Sequence, residues 1–155
     1  MSEVSIVKLK PQLVIGMRKK GCYRGIAEMI PAICQYADSK KAKFCGPPIF
    51  ICHENAEEAI KANEEGNADL EVAVPIEKKI EETDEIKCYE LEGGSFAKIV
   101  HKGPYQECCS AYRKLFKWIA EQGKKVCGPT REYYLNDPNV IKPEGILTEI
   151  YAPIE

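Results

Sequence analysis

Apolar residues alternate with polar or small ones along much of this chain, and the alternation gives way to three-and-four spacing in only a few places. The first extended run, Val4–Arg18, sets Leu13, Ile15 and Met17 against polar or small neighbours and is interrupted at Pro11. A turn is predicted at Lys19–Tyr23. Ile26, Met29, Ile30, Ile33 and Ala37 then recur at helical spacing around Pro31. That helix either starts near Ile30, with Pro31 in its first position, or breaks there. Further strands are predicted at 49–53, 69–75, 86–91, 96–101, 130–135 and 147–152, and Gly93-Gly94 between two of them is a hairpin signal. Tyr105–Gln122 gives the strongest helix, with a stripe of Cys108, Tyr112, Leu115, Phe116 and Ile119 and a cap at Gly123. The acidic stretch Glu54–Ala68 reads as a loop or short helix, and Asn136-Asp137-Pro138-Asn139 as a turn.

The pattern occurs twice. Lys20, Gly21 and Tyr23 recur as Lys102, Gly103 and Tyr105, and Lys43, Cys45, Gly46 and Pro47 as Lys125, Cys127, Gly128 and Pro129, every pair 82 positions apart. Glu71-Val72-Ala73-Val74-Pro75-Ile76-Glu77 returns as Glu149-Ile150-Tyr151-Ala152-Pro153-Ile154-Glu155, offset by 78. The expected fold is α+β: a tandem duplication of strand-helix-strand-strand modules, about 4–80 and 84–155, forming one domain. Its antiparallel sheets would carry helices on one face and leave the other for a ligand groove.

Composition narrows the function. A length of 155 residues suits one domain or two small modules. Net charge is −2, without a clustered basic run, which argues against direct nucleic-acid binding. No stretch is long and apolar enough for a membrane span, and Met1–Lys10 lacks a signal-peptide core, so a cytoplasmic protein is expected. Eight cysteines without a CxxC, and two histidines, form no zinc pattern; no metal or cofactor is expected, and the cysteines read as small core residues. Lys20-Gly21 and Lys102-Gly103 lack phosphate-loop spacing and read as turns at positive φ. Tyr36 and Trp118, repeat partners on the two helices, read as edge packing.

Strand alternation then selects candidate site residues. Tyr133 and Arg131 are repeat partners of Ile51 and Ile49, so these four are assigned to the helix side and Glu132 and Tyr134 to the open face. In the last strand, Ile150 and Ala152 match Val72 and Val74, which leaves Glu149 and Tyr151 on that open face. The first half offers Phe50, Cys52, Glu71 and Ala73 there. Carboxylates among phenol rings suit an organic cation, because a ring face attracts a cation by roughly 0.5–2 kcal/mol and an opposite charge relieves a partly buried carboxylate. The same alternation is also ordinary for a solvent-facing sheet.

His101-Lys102-Gly103-Pro104-Tyr105, the helix after it, Gly128-Pro129-Thr130-Arg131-Glu132-Tyr133-Tyr134, Asn136-Asp137-Pro138 and Thr148-Glu149-Ile150-Tyr151-Ala152-Pro153-Ile154 together resemble the GyrI-like (gyrase-inhibitor-like) effector-binding domain. Asp69-Leu70-Glu71-Val72-Ala73-Val74-Pro75 resembles its first-half counterpart. That module occurs in AraC-type and multidrug-sensing regulators. The resemblance implies tandem modules with a groove between them for amphipathic or cationic compounds. It points to Glu132, Tyr134 and Glu149, with Tyr105, as contact residues. The two repeats leave no room for a helix-turn-helix region, so a stand-alone receptor for a hydrophobic, cationic small molecule is expected, in sensing or sequestration. Two other readings stay open: a hydrolase of electrophilic compounds, with Glu149 as general base and Tyr134 beside it, and an inhibitor that docks on a partner protein as yet unknown. A haem role finds no support in His53 or His101.

Overall fold

Pro11 divides the first extended run, because a residue without an N–H ends a strand ladder there. In the computed structural model of the protein, which describes residues 3–104, 107–136 and 140–155, the run becomes β1 (Ser5–Leu9) and β2 (Gln12–Gly21). A 3-10 turn at Tyr23–Gly25 leads into α1 (Ile26–Ser39), followed by β3 (Ile49–Cys52), α2 (Ala56–Glu65) and β4 (Ala68–Pro75). The second half contributes β5 (Lys87–Leu91), β6 (Gly94–Lys102), α3 (Cys109–Glu121), β7 (Thr130–Tyr134) and β8 (Leu147–Pro153). The architecture is α+β with antiparallel pairing throughout.

The chain divides into two compact units, Pro11–Glu92 and Met1–Lys10 with Gly93–Glu155, here called the N-terminal and C-terminal units. The N-terminal unit orders its strands β3-β4-β2-β5, and the C-terminal unit orders its own β7-β8-β6-β1. Each strand of one list corresponds to its repeat partner in the other. Both limits differ from the repeat boundaries read in the sequence, because β1 and β5 each pair outside their own repeat.

That pairing also corrects the hairpin. β5 runs antiparallel to β2, with Leu91 opposite Gln12 and Lys87 opposite Gly16, while β6 pairs with β1, Ser5 lying opposite Lys98. Gly94 opens β6 opposite Leu9 at φ +137°, a conformation that favours glycine. A glycine turn states only that the chain can bend; the partner of each strand is decided by side-chain packing along its length.

In the C-terminal unit, Leu115 and Ile119 of α3 and Ala111 beside them meet Ala97 and Ile99 of β6 and Ile150 and Ala152 of β8, with Ile154 at the margin. Burying a side chain the size of Leu115, which is wholly covered, stabilises by about 1.5–3 kcal/mol. Trp118 packs partly buried against this core, as expected of an edge residue. In the N-terminal unit α1 packs on β4 and β2 and buries Met29, Ile33 and Ala37. It carries Pro31 in its interior, where neither a start nor a break occurs. Pro31 is exposed, so its ring and missing N–H disturb only the solvent side of the helix. α2 has a capping box, Asn55 accepting from the Glu58 N–H at 2.8 Å, and ends at Gly66 at φ +70°.

Candidate functional site

Residues directly opposite each other in an antiparallel pair share a side of the sheet. In β7 and β8, Glu132 lies opposite Ile150 and Tyr134 opposite Thr148. Ile150 belongs to the core beneath α3. Glu132 and Tyr134 therefore sit on the α3-covered side. Arg131 lies opposite Tyr151 and Tyr133 opposite Glu149, which places these four on the other side. The expected convergence of Glu132 and Tyr134 with Glu149 and Tyr151 does not occur. β3 is inverted in the same way: Phe50 lies opposite Val72, while Ile49 and Ile51 lie opposite Ala73 and Glu71. The cause is that β3 is buried on both sides, Ile49, Phe50 and Ile51 all being at most 3% exposed. Hydrophobicity therefore carries no information about which of them faces the helix.

Beneath α3, Glu132 is held by phenols. The Tyr112 hydroxyl, from α3, donates to Oε2, and the Tyr134 hydroxyl donates to Oε1 at 3.1 Å. Among the described residues these are its hydrogen-bond partners, and both are neutral. Burial pushes the Glu132 carboxyl above its ordinary value, against the opposing effect of the two phenols and of His101. Phe116 lies 5.9 Å from the Tyr112 ring and keeps 37% of its surface exposed. Cys108 is buried nearby; burial and then the Glu132 charge push its thiol up to about 12, which makes it inert. His101 is buried and donates through Nε2 to the Pro104 carbonyl at 2.9 Å, where Gly103 adopts φ +128°. Gly21, its repeat partner, lies within β2 and is not among the positive-φ glycines. Tyr105 lies outside the described residues.

The side facing away from α3 holds Glu149 differently. Lys98 Nζ lies 2.8 Å from Oε2, and the Tyr151 hydroxyl donates to Oε1 at 3.0 Å. Tyr151 packs 4.8 Å from the Tyr133 ring, and Arg131 lies 4.7 Å above the Phe96 ring. Burial and the Glu149 charge push the Tyr151 hydroxyl up to about 12, and the bond to Glu149 raises Lys98. This carboxylate already has its cation. Glu149 and Tyr134, considered above as a base and its companion, lie on opposite sides of the sheet.

In the N-terminal unit, Glu71 occupies the position equivalent to Glu149 and is also engaged. His53 Nε2 lies 2.7 Å from Oε1, and the Tyr89 hydroxyl donates to Oε2 at 2.7 Å. Gly16 makes room for Tyr89, since a Cβ there would stand 2.4 Å from that hydroxyl. Phe50 stands where Glu132 stands in the other unit. It is buried edge-on against Tyr23, ring centroids 5.8 Å apart, so hydrocarbon fills the equivalent place. Phe50 and Glu71 are on opposite sides of their sheet and do not form one site.

Sequence reasoning missed Tyr112, Thr148 and His101. Tyr112 was legible only as a member of a helix stripe, and the identity of its partner needed the strand phase. The cysteines depart from expectation too: Cys108 is buried, but Cys45, Cys109 and Cys127 are exposed. Among the described residues, no group of three His, Cys, Asp or Glu side chains is arranged to hold a metal. An open groove of about 480 Å³ runs along the outside of α3, lined by Glu3, Val4, Lys114, Lys117, Trp118 and Glu121. Its acids are matched by lysines in open solvent, which leaves no desolvated charge there.

Glu132 is thus a half-buried carboxylate among aromatic side chains, its hydrogen bonds among the described residues coming from two phenols. Over residues 2–155 the chain matches the family described as the GyrI-like small molecule binding domain. The chain belongs to that family. The GyrI-like fold is shared with solved structures. The C-terminal domain of EcmrR is 19% identical with a TM-score of 0.87, the match covering 100% of this chain and 98% of that one. EcmrR in its complex with DNA gives 19% identity and a TM-score of 0.86 over 99% of this chain, which spans 57% of the length of that chain. A hydrolase encoded by lin2189 from Listeria innocua is 14% identical with a TM-score of 0.77, covering 99% and 92%. SAV2435 bound to tetraphenylphosphonium is 12% identical with a TM-score of 0.61, covering 99% and 94%. At these identities the likeness is one of fold. The comparison with curated proteins found no match. Among the described residues, no helix is long and apolar enough to cross a membrane.

Proposed function

We propose that this GyrI-like chain is a receptor for hydrophobic organic cations, with Glu132 as the residue that meets the charge. One observation carries the reading. Among Glu71, Glu132 and Glu149, Glu149 is neutralised by Lys98 and Glu71 is engaged by His53 and Tyr89, whereas burial raises Glu132 and its hydrogen-bond partners among the described residues are two phenols. A cation that displaces those hydroxyls gains a low-dielectric ion pair and ring faces, from Tyr112, Tyr134 and Phe116, that attract it by roughly 0.5–2 kcal/mol. SAV2435 binds tetraphenylphosphonium on a related fold, which makes that ion a fitting first probe. In this reading the chain acts in sensing or sequestration inside the cell.

Thermal-shift titration tests it. Tetraphenylphosphonium and cationic dyes should raise the unfolding temperature with concentration, as ligand linkage requires. Glu132→Gln should weaken binding roughly thirtyfold or more, the cost of removing one partner of a buried charge pair, and Glu149→Gln should leave it near wild type. Hits that Glu132→Gln leaves unchanged would refute the assignment.

A second reading is favoured by the Listeria innocua hydrolase among the related folds. A carboxylate made more basic by burial suits a general base, so Glu132, flanked by Tyr112 and Tyr134, would activate water against an electrophilic ligand. Turnover of such a compound by wild type, absent in Glu132→Gln, distinguishes catalysis from binding.

A further inference from the structure

Thr148 lies in β8 with 0% of its surface exposed, and its Oγ1 has no hydrogen-bond partner among the described residues. Strand register fixes where it is. It stands opposite Tyr134 in β7 and opposite His101 in β6, on the α3-covered side, one diagonal step from Glu132. Every other β8 residue on that side is hydrocarbon: Ile150 and Ala152 are core. Valine would occupy nearly the same volume as threonine and avoid leaving a buried hydroxyl unsatisfied, which costs about 1–3 kcal/mol. The surrounding polar groups are directed elsewhere: Tyr134 donates to Glu132, Tyr112 does the same, and His101 donates to the Pro104 carbonyl. Threonine at this point is a cost to the unliganded protein, placed beside the carboxylate that the functional reading singles out.

Resting on the reading that Glu132 receives an organic cation, we propose that Thr148 determines which cations are accepted, its hydroxyl hydrogen-bonding a heteroatom of the ligand. Diagonal neighbours on a sheet have Cβ atoms about 7–8 Å apart or somewhat less. The ligand class is then an amphipathic cation carrying an N–H, hydroxyl or carbonyl roughly one aromatic ring away from its charge. A cation clad entirely in hydrocarbon still meets Glu132 but leaves Thr148 unpartnered. A site with a polar atom waiting discriminates against ligands that cannot satisfy it more sharply than a hydrocarbon wall discriminates by size.

Two dyes with the same ring and charge separate the residues: N-methylacridinium and its diamino derivative acriflavine. Fluorescence titration of the full chain should show wild type preferring acriflavine by about tenfold, the worth of one good hydrogen bond. Thr148→Val should abolish that preference, weakening acriflavine about tenfold and leaving N-methylacridinium within twofold. Thr148→Ser, which keeps the hydroxyl, should retain the preference. Glu132→Gln should weaken both dyes alike. If the preference survives in Thr148→Val while Glu132→Gln still weakens both, the role given to Thr148 is wrong and the cation site stands. If Glu132→Gln weakens neither, or neither dye binds wild type, the cation site itself falls and Thr148 with it.

Discussion

The strand glutamates Glu71, Glu132 and Glu149 are each held in a different way, and the difference is what assigns them roles. Glu149 and Glu71 sit at matched places in the repeat, and each satisfies both oxygens within its own unit. Among the described residues, Glu132 satisfies its oxygens with phenols alone, and burial raises it. The sign of the resulting pH dependence follows. Its folded value lies above its unfolded one, so the folded protein binds the proton more tightly. Stability contributed by this group is complete in acid, below the ordinary value of 4.5, and is lost as pH rises through the raised folded value. Chemical denaturation across pH should therefore show Glu132→Gln gaining on wild type as pH climbs above that range. A difference that is flat with pH, or that runs the other way, would mean the carboxylate is not desolvated. Cation binding should follow the opposite course in wild type and strengthen as Glu132 ionises. At this scale the sequence was informative about chemistry: Glu132 and Tyr134 were identifiable as candidates, and their neighbour Tyr112 was visible on its helix stripe. What could not be read was which side each faced, since β3 and β7 were phased from apolar residues that are buried on both sides.

At the scale of elements, alternation served well where one side of a strand is clearly polar and failed where it is not. β2 and β4 were phased correctly because Glu71 interrupts an apolar row. β5 and β6 were located but mispaired, because turn chemistry is local and pairing is not. Two substitutions probe the observed packing. Leu115→Ala, in a fully covered position between α3 and the sheet, should cost about 2–5 kcal/mol by denaturant titration. Gly16→Ala places a Cβ 2.4 Å from the Tyr89 hydroxyl and 2.8 Å from the Val72 carbonyl oxygen. Backbone cannot yield as a flexible side-chain tip can, so a loss of about 1–3 kcal/mol is expected. A neutral Gly16→Ala would show that β2, β4 and β5 are not in the register described.

At the scale of the molecule, the two units have matched strand orders, yet the equivalent places on β3 and β7 differ in chemistry. Phe50 fills in one unit the position that Glu132 holds in the other, so the repeat preserved the scaffold and let the chemistry diverge. The repeat was evident in the spacing of the sequence; the asymmetry was not, because it rests on the phase of two short strands. A ligand at Glu132 should accordingly slow amide hydrogen exchange in α3, β7 and β8 and leave β3 and β4 little changed. The most direct measurement is a crystal structure of the protein grown with tetraphenylphosphonium. The cation should lie against Glu132, with the Tyr112 and Tyr134 hydroxyls moved off the carboxylate. A cation held instead by Glu149, by Glu71 or in the groove beside Trp118, with those phenol bonds intact, would contradict the assignment.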